Sequence, residues 1–265
     1  MWGHSAFPHT PFMKFKVEPN WHQAIVGMTG SGKTTLVKAL AVAYAAKLNM
    51  QQAPDYYKIF ILDTKHQGDF DNIGKKFDTM YSAVYQSGGS RIVVYEPNEE
   101  EDDYVHYEMF LRLIWDRWLV LPGQKEKRRV PAVIVIDELG TLEVSGKSKS
   151  HIDNKRTHYW AEIMKRGRGA KVVLWNLTQN PVNMPEDFLR NATAIYTFRL
   201  NNPEDRERMA KYTGPEEKAE ITDPHGFWVY YVGGMMKPMY IKQLEITQPV
   251  GGRTAYDRTA YRPGY

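Results

Sequence analysis

Cysteine is absent from the 265-residue sequence, which excludes disulfide bonds and metal sites built from thiolates. Long apolar runs are absent too, since no stretch reaches the roughly 18 apolar residues that predict a membrane-spanning helix. Residues 1–10 lack the apolar core of a signal peptide. The net charge is only +4 and the pI is near 8.9, which permits a nucleic-acid partner without requiring one. We therefore expect a cytoplasmic protein without a membrane segment.

The length fits one large domain with short extensions. Residues 1–19 mix His, Pro and Phe without periodicity and predict an N-terminal arm. Residues 20–246 carry a regular pattern of apolar segments and are expected to form the domain. Residues 247–265 contain Thr-Ala-Tyr twice together with arginines, and are too short and polar to fold alone. We expect a flexible tail there.

A glycine-rich segment, Gly27–Thr34, lies between an apolar run and a segment of helical spacing. It matches the P-loop pattern, in which backbone N–H groups and the positive end of the following helix face a polyphosphate. Lys33 would reach the β- and γ-phosphates, and the Thr34 hydroxyl would ligate Mg²⁺. The residues expected to bind ATP are Gly27, Thr29, Gly30, Ser31, Gly32, Lys33, Thr34 and Thr35. The alternative is a glycine-rich turn without a nucleotide.

A second candidate site follows the apolar run Ala132–Ile136, which delivers Asp137 and Glu138 at its end. Open α/β sheets place ligands at the carboxyl ends of their strands. After a P-loop, acids in this position form the Walker B arrangement, in which Asp137 would hold Mg²⁺ directly or through water. Glu138 would then orient or deprotonate the attacking water. The alternative is a polar strand end at the surface.

Apolar runs alternate with segments of helical spacing along the whole domain. Strands are predicted at 23–26, 58–63, 91–95, 132–136, 171–177 and 193–200, with a closing hairpin at 227–232 and 239–244. Helices are predicted at 33–50, from the acidic run 99–103 through Trp118 to a stop at Pro122, around Trp160 to Met164, and at 203–212. Residues 69–76 are predicted as a polar connection and 125–129 as a basic loop. This order predicts an α/β fold, a mostly parallel sheet with helices on both faces.

Several short sequence motifs are specific when they are taken together, through both their residues and their order along the chain. They are Gly27–Thr34, Ile61–Lys65, Ile136–Glu138 and Leu177–Pro181, preceded by the basic stretch Lys165–Ala170. Together they resemble the FtsK/HerA superfamily of ring-shaped, ATP-driven DNA pumps, with its G-x-T-G-S-G-K-[ST], its Asp-Pro-Lys strand end, its Walker B and its Thr-Gln-x-Pro. The resemblance covers about residues 20 to 200. It implies a RecA-like P-loop NTPase core of the FtsK/HerA type.

The resemblance also implies roles for polar residues outside the P-loop. Gln179 would touch the γ-phosphate or the attacking water and report hydrolysis, whereas its plain alternative is an amide that caps the turn before Pro181. Arg166 or Arg168 would act as an arginine finger in a neighbouring subunit's site. The alternative for both arginines is a solvated helix end, where cations suit the helix dipole. A finger supplied in trans needs a neighbour, so a homo-oligomeric ring, a hexamer or pentamer, is predicted.

A single domain without membrane or winged-helix segments is most similar, within that superfamily, to the genome-packaging ATPases of viruses. The implied partners are double-stranded DNA and a capsid or portal component, and the implied location is the host cytoplasm or the virion. The cations expected to grip DNA phosphates are Lys147, Lys149, Lys155 and Arg156, with Lys75 and Lys76 less favoured. A solvated basic loop is the alternative.

Two departures from the superfamily pattern leave the roles of their positions open. Asn180 stands where the family often has Arg, and Thr64-Lys65-His66 stands where it often has Pro-Lys-Gly. Three other functions are compatible with a P-loop. These are a small-molecule kinase, which would need an acceptor pocket and an arginine-rich lid, a nucleotide-binding assembly factor that does not act on DNA, and a HerA-like translocase in DNA repair or transfer.

Overall fold

The computed structural model describes most of the chain between Trp21 and Lys242. The described residues are 21–65, 68–97, 103–120, 125–138, 159–214, 221–232 and 238–242. The predicted arm and tail, and all four favoured DNA-binding cations at 147, 149, 155 and 156, lie outside these ranges. None of the helices within these ranges is long and apolar enough to cross a membrane.

The described residues form eleven strands and six α-helices. The strands are β1 Gln23–Val26, β2 Lys58–Asp63, β3 Lys75–Phe77, β4 Ile92–Tyr95, β5 Trp118–Val120, β6 Lys127–Arg129, β7 Ala132–Asp137, β8 Val172–Thr178, β9 Ala194–Phe198, β10 Phe227–Tyr231 and β11 Met239–Ile241. The α-helices are α1 Lys33–Met50, α2 Met80–Tyr85, α3 Asp103–Trp115, α4 Tyr159–Ala170, α5 Glu186–Asn191 and α6 Pro203–Thr213, with a short 3₁₀ helix at Pro181–Asn183.

Nine of these strands form one sheet in the order β11-β10-β9-β1-β8-β7-β2-β4-β3. The seven strands from β9 to β3 run parallel, and β10 and β11 close the sheet as an antiparallel hairpin. Strands β2, β7 and β8 are buried at every position, as expected for parallel strands covered on both faces. The predicted α/β fold is therefore confirmed.

Each face of the sheet is covered by a separate hydrophobic cluster. On one face α1 contributes Leu36, Val37, Leu40, Ala41 and Tyr44, the residues whose helical spacing predicts an apolar stripe. The opposite face is covered by α2 to α6, with side chains such as Phe110, Ile163, Phe188 and Met209. The helices thus cover both faces of the sheet.

The parallel strands define two ends of the sheet. We call the end where β1, β2, β7 and β8 finish the carboxyl edge, and the end where they begin the amino edge. Register places Val26 beside Thr178 and Asp63 beside Asp137 at the carboxyl edge. The loops that follow these strands therefore converge there, where open α/β sheets hold ligands.

Three predicted segments differ in the structure. The connection at 69–76 contains the start of β3, a short strand at the edge of the sheet. The helix that was expected to continue to Trp118 ends at Trp115, and the basic loop at 125–129 contains β6, which pairs with β5. The Arg129 guanidinium explains this hairpin, because its carbon lies 3.7 Å from the Trp115 ring centroid and 4.2 Å from that of Trp118. This stacking holds the two strands against the end of α3.

Candidate active site

The P-loop lies at the carboxyl edge between β1 and α1. Gly32 precedes α1 with φ 104°, a left-handed conformation that favours glycine. The Gly27 N–H donates to the Thr178 carbonyl, 3.2 Å, and the Met28 N–H donates to the Arg199 carbonyl, 2.9 Å. The loop is therefore attached to the ends of β8 and β9, the strands on either side of β1.

Lys33 folds back over the loop it follows. Its Nζ donates to the carbonyl oxygens of Gly27, 2.7 Å, and Met28, 3.0 Å. Burial, together with repulsion by Lys65, lowers the pKa of Lys33 to about 8, and the carboxylates of Glu138 and Asp137 oppose the shift. An anionic phosphate in the loop would offer this ammonium a stronger acceptor than two neutral carbonyls.

Asp137 is fully buried at the end of β7. Burial raises its pKa to about 6, and the neighbouring Lys65 ammonium opposes that shift. Lys65 Nζ lies 3.1 Å from Asp137 Oδ1. Within the described part of the chain, the second oxygen, Oδ2, is buried and has no hydrogen-bond partner. A buried carboxylate oxygen without a donor is suited to accept from a metal-bound water or to bind the metal itself.

Glu138 is the residue after β7, and its backbone has φ 83°, a conformation that costs a non-glycine residue energy and is common at functional sites. Its side chain is almost completely buried. Glu138 Oε1 accepts a hydrogen bond from Thr178 Oγ1, 3.0 Å, and another from the Gln179 N–H, 3.0 Å. The end of β8 therefore fixes the direction of this carboxylate.

Gln179 connects Glu138 to the P-loop. Its side-chain oxygen accepts a hydrogen bond from Thr29 Oγ1 at 2.5 Å, while its backbone contacts Glu138 as described above. One residue thus touches both the loop that would hold the phosphates and the acid that would face the water.

The remaining predicted ligands fit a nucleotide and Mg²⁺. Ser31 Oγ is buried and, in the described ranges, without a hydrogen-bond partner. Thr34, in the first turn of α1, is partly buried, and Thr35 beside it is exposed. The described residues contain no group of three acids or histidines able to hold a metal alone. Mg²⁺ at Thr34 and Asp137 would therefore also need oxygens from the phosphates and water.

The two candidate finger arginines are far from this chain's own P-loop. Arg166 and Arg168 lie near the end of α4, and the Lys171 N–H donates to the Arg168 carbonyl just before β8 begins. Burial lowers the pKa of His22 to about 4, and Arg168 contributes to the shift, which places Arg168 near the start of β1 as well. Both arginines therefore lie at the amino edge. The Arg166 side chain is 75% exposed and lies 3.4 Å from Glu162.

The less favoured DNA-binding pair lies elsewhere. Lys76 is in β3 and pairs with Asp71 at 3.1 Å and with Glu96. Lys75 Nζ lies 4.9 Å from the centroid of the Phe77 ring. These lysines belong to an edge strand with partners in the same chain, and the expectation that they lie in a loop is wrong.

Two polar contacts at the site are not predicted by the sequence analysis. Thr178 holds Glu138, and Lys65 contacts Asp137, but neither residue was assigned a role. A usable signal does exist, because both residues follow or end an apolar strand, and strand ends meet once the strand order is known. The sequence does not provide that order directly.

Together these features define the class of the protein. It is a P-loop NTPase with a RecA-like core, in which the strand β8 lies between the P-loop strand β1 and the acid-bearing strand β7. Within that class, the chain belongs to the family described as helicase HerA, central domain, whose model matches residues 18–180. The resemblance to the FtsK/HerA superfamily is thereby confirmed.

Known proteins similar to the chain include viral and bacterial ones. Protein P9 of Pseudoalteromonas phage PM2 is 23% identical over 192 residues, which cover 72% of this chain and 74% of that protein. The genome packaging NTPase B204 from Sulfolobus turreted icosahedral virus 2, in complex with ATP-gammaS, has a TM-score of 0.62 at 19% identity, covering 86% of this chain and 100% of that one. The cytoplasmic domain of the Type VII secretion ATPase EccC from Thermomonospora curvata has a TM-score of 0.53 at 17% identity, covering 88% of this chain but 26% of that one. At these identities the structural likeness establishes the fold.

Proposed function

We propose that the chain is an ATP-driven translocase of double-stranded DNA and serves as the motor ATPase that packages a viral genome. The observation that carries the proposal is the meeting, at one edge of the sheet, of a P-loop with two buried acids and a glutamine. This arrangement has the parts that phosphoryl transfer to water needs, namely a phosphate cradle, a metal ligand and a base.

The first step is nucleotide binding. Lys33 exchanges the carbonyls of Gly27 and Met28 for the β- and γ-phosphates, and the N–H groups of the loop face the same oxygens. Thr34 and Asp137 would hold Mg²⁺. When bound, the cation would neutralise charge that develops on the phosphates. The unpartnered Asp137 Oδ2 supports this assignment.

The second step is activation of water. Glu138 is the acid beside the metal ligand, and its direction is fixed by Thr178 and the backbone of Gln179. A base held in one orientation acts on one position in space. Glu138 would therefore take the proton of a water that attacks the γ-phosphate in line with the leaving group.

The third step is communication with the rest of the subunit. Thr29 Oγ1 donates a hydrogen bond to the side-chain oxygen of Gln179. Phosphates in the loop would compete for either side chain, and Gln179 adjoins the segment that leads to α5. Loss of the γ-phosphate would therefore change the position of this segment, which is how Gln179 would report hydrolysis.

The fourth step requires a second subunit. Arg166 and Arg168 lie at the amino edge, so neither serves the P-loop of its own chain. Head-to-tail contact would bring the amino edge of one subunit to the carboxyl edge of the next, which closes into a ring if the rotation is suitable. A hexamer or a pentamer, with one of these arginines as a finger in trans, meets this requirement.

DNA as the substrate, and packaging as the process, rest on the relatives. B204 is described as a genome packaging NTPase and as a DNA-packaging ATPase. Lys147, Lys149, Lys155 and Arg156 are proposed to grip DNA phosphates without regard to sequence. Residues 1–19 and 247–265 are proposed as an arm and a tail around the ATPase domain, available to a capsid or portal component in the host cytoplasm or the virion.

The family match supports a second candidate within the same class. Because the matching model describes a helicase HerA domain, a translocase in DNA repair or transfer would use the same site. The two functions would differ in partners and not in the chemistry of ATP hydrolysis.

The experiment is ATP hydrolysis by the purified chain, with and without double-stranded DNA, over a salt series. We expect stimulation by DNA that weakens as salt rises and disappears in Glu138→Gln. Glu126→Gln, which changes an exposed acid next to β6, is the matched control and should behave as wild type. Hydrolysis that is indifferent to DNA would contradict the motor function. Hydrolysis that survives in Glu138→Gln would contradict the role given to that residue.

A further inference from the structure

One lysine lies close to both acids of the proposed site. Lys65 Nζ is 3.1 Å from Asp137 Oδ1 and 3.9 Å from Glu138 Oε2. Only 18% of the Lys65 side chain is exposed. The ammonium therefore sits between the metal ligand and the catalytic acid of the proposed site, in surroundings that exclude most water.

The segment that carries this lysine is fixed to the acid strand. Thr64 Oγ1 donates to the Asp137 carbonyl, 3.1 Å, and the Lys65 N–H donates to Asp63 Oδ1, 3.2 Å. Asp63 and Asp137 are register partners on adjacent strands. These bonds hold the backbone of Lys65 beside Asp137, so the ion pair differs from a pair of long side chains that meet by chance on a surface.

The charges at the site explain why a lysine is suited to this position. Asp63 and Asp137 are buried register partners on adjacent strands, and Glu138, which follows Asp137, is buried as well. Buried carboxylates this close repel one another unless positive charge neutralises them. Lys65 and Lys33 supply two positive charges that partly neutralise these carboxylates. A nucleotide changes this balance, because its phosphates add negative charge next to both lysines.

We infer that Lys65 competes with the divalent cation for Asp137 and keeps that cation away from this acid until a nucleotide binds. When the phosphates bind, Lys65 leaves Asp137 Oδ1, and both oxygens of this acid become available to the metal. Lys65 is thus a positioning residue that acts through Asp137. The inference rests on the proposed nucleotide and Mg²⁺ site.

The test measures metal binding without any nucleotide. Mn²⁺ is titrated into the nucleotide-free protein, and the free ion is followed by electron paramagnetic resonance. Even at the dielectric constant of water, repulsion between a lysine and a divalent cation about 4 Å away corresponds to a factor of about thirty in affinity. We therefore expect Lys65→Met to bind Mn²⁺ at least about tenfold more tightly than wild type, and Lys65→Arg, which keeps the charge, to remain within a factor of about two of wild type.

The matched control is Lys58→Met. Lys58 is a buried lysine at the other end of β2, where its Nζ donates to the carbonyls of Gly88 and Ser90. It should leave Mn²⁺ affinity unchanged. If Lys65→Met does not fold, as judged by circular dichroism and thermal melting, Lys65→Gln, which is one atom shorter but keeps a hydrogen-bond donor, should show the same gain. No gain in either neutral variant, or an equal gain in Lys58→Met, would overturn the inference.

A second titration separates this inference from the proposed function. Mn²⁺ and a non-hydrolysable ATP analogue are added together to wild type and to Lys65→Met. Binding of both ligands to both proteins is expected. If neither protein binds the analogue, the nucleotide site is refuted, whereas the nucleotide-free titration still decides whether Lys65 excludes the metal from the acids.

Discussion

Gly167 decides how closely α4 packs on the central strand of the sheet. An ideal Cβ at this position would overlap the Val172 carbonyl oxygen, well inside the 3.0 Å that real Cβ atoms keep. Val172 begins β8, which is paired on both sides, with β1 and β7. The strand cannot retreat, so in Gly167→Ala the helix must move away.

The cost can be estimated from this geometry. Overpacking a buried position costs about 1–3 kcal/mol, while Gly to Ala in a relaxed helix stabilises by about 0.4–1 kcal/mol. Gly169, in the same helix, has nothing within 4 Å of an ideal Cβ and provides the matched control. We expect Gly167→Ala to lower the free energy of unfolding by about 1–2 kcal/mol, which corresponds to about 2–4 °C per kcal/mol in Tm. Gly169→Ala should be neutral or stabilising.

The assay is urea denaturation followed by circular dichroism, with thermal melts as a second measurement. Arg166 and Arg168 flank Gly167, so a shift of α4 should also lower DNA-stimulated ATP hydrolysis. If Gly167→Ala were as stable as Gly169→Ala, the close approach of α4 to β8 would be refuted.

Two further predictions concern buried charge and the ring. Burial raises the pKa of Glu108 to about 7, although backbone hydrogen bonds from Tyr159 and Trp160 oppose the shift. The native state therefore keeps a proton that the unfolded chain releases, and the free energy of unfolding should fall by up to about 3 kcal/mol as pH rises from about 4.5 to 7. Urea titrations at several pH values should show that Glu108→Gln loses this part of the slope; an unchanged slope would refute the shift. For the ring, Arg166→Ala or Arg168→Ala chains mixed with Lys33→Ala chains should hydrolyse ATP faster than either variant alone, because each supplies what the other lacks. If neither arginine variant gains from mixing, the finger in trans is wrong.

The elements that were predicted correctly are marked by patterns among residues that are close together in the sequence. Ala132–Ile136 is apolar at every position and is followed by two acids. A continuous apolar run is typical of a parallel strand that is buried on both faces. The P-loop has a fixed sequence motif, and α1 has a clear apolar stripe. These features depend on neighbours within a few residues, and a sequence displays such neighbours directly.

The elements that were missed depend on distant contacts. The three residues of β3 are exposed or partly exposed, so no apolar pattern marks them, and only pairing with β4 makes them a strand. Trp118 follows the helical spacing of α3, but stacking with Arg129 places it in a hairpin. The contacts of Lys65 with Asp137 and of Thr178 with Glu138 likewise require the order of β2, β7 and β8, which no local pattern encodes.

The length of β8 separates the two halves of the proposed catalytic machinery. Its seven residues, Val172–Thr178, span about 20 Å between the amino edge with the arginines and the carboxyl edge with the P-loop. Under the proposed assignment, a single newly synthesised chain contains every catalytic group, but as a monomer it does not hydrolyse ATP. The specific ATPase activity should then rise with protein concentration. ATP hydrolysis would therefore begin only where subunits accumulate, at the site of assembly.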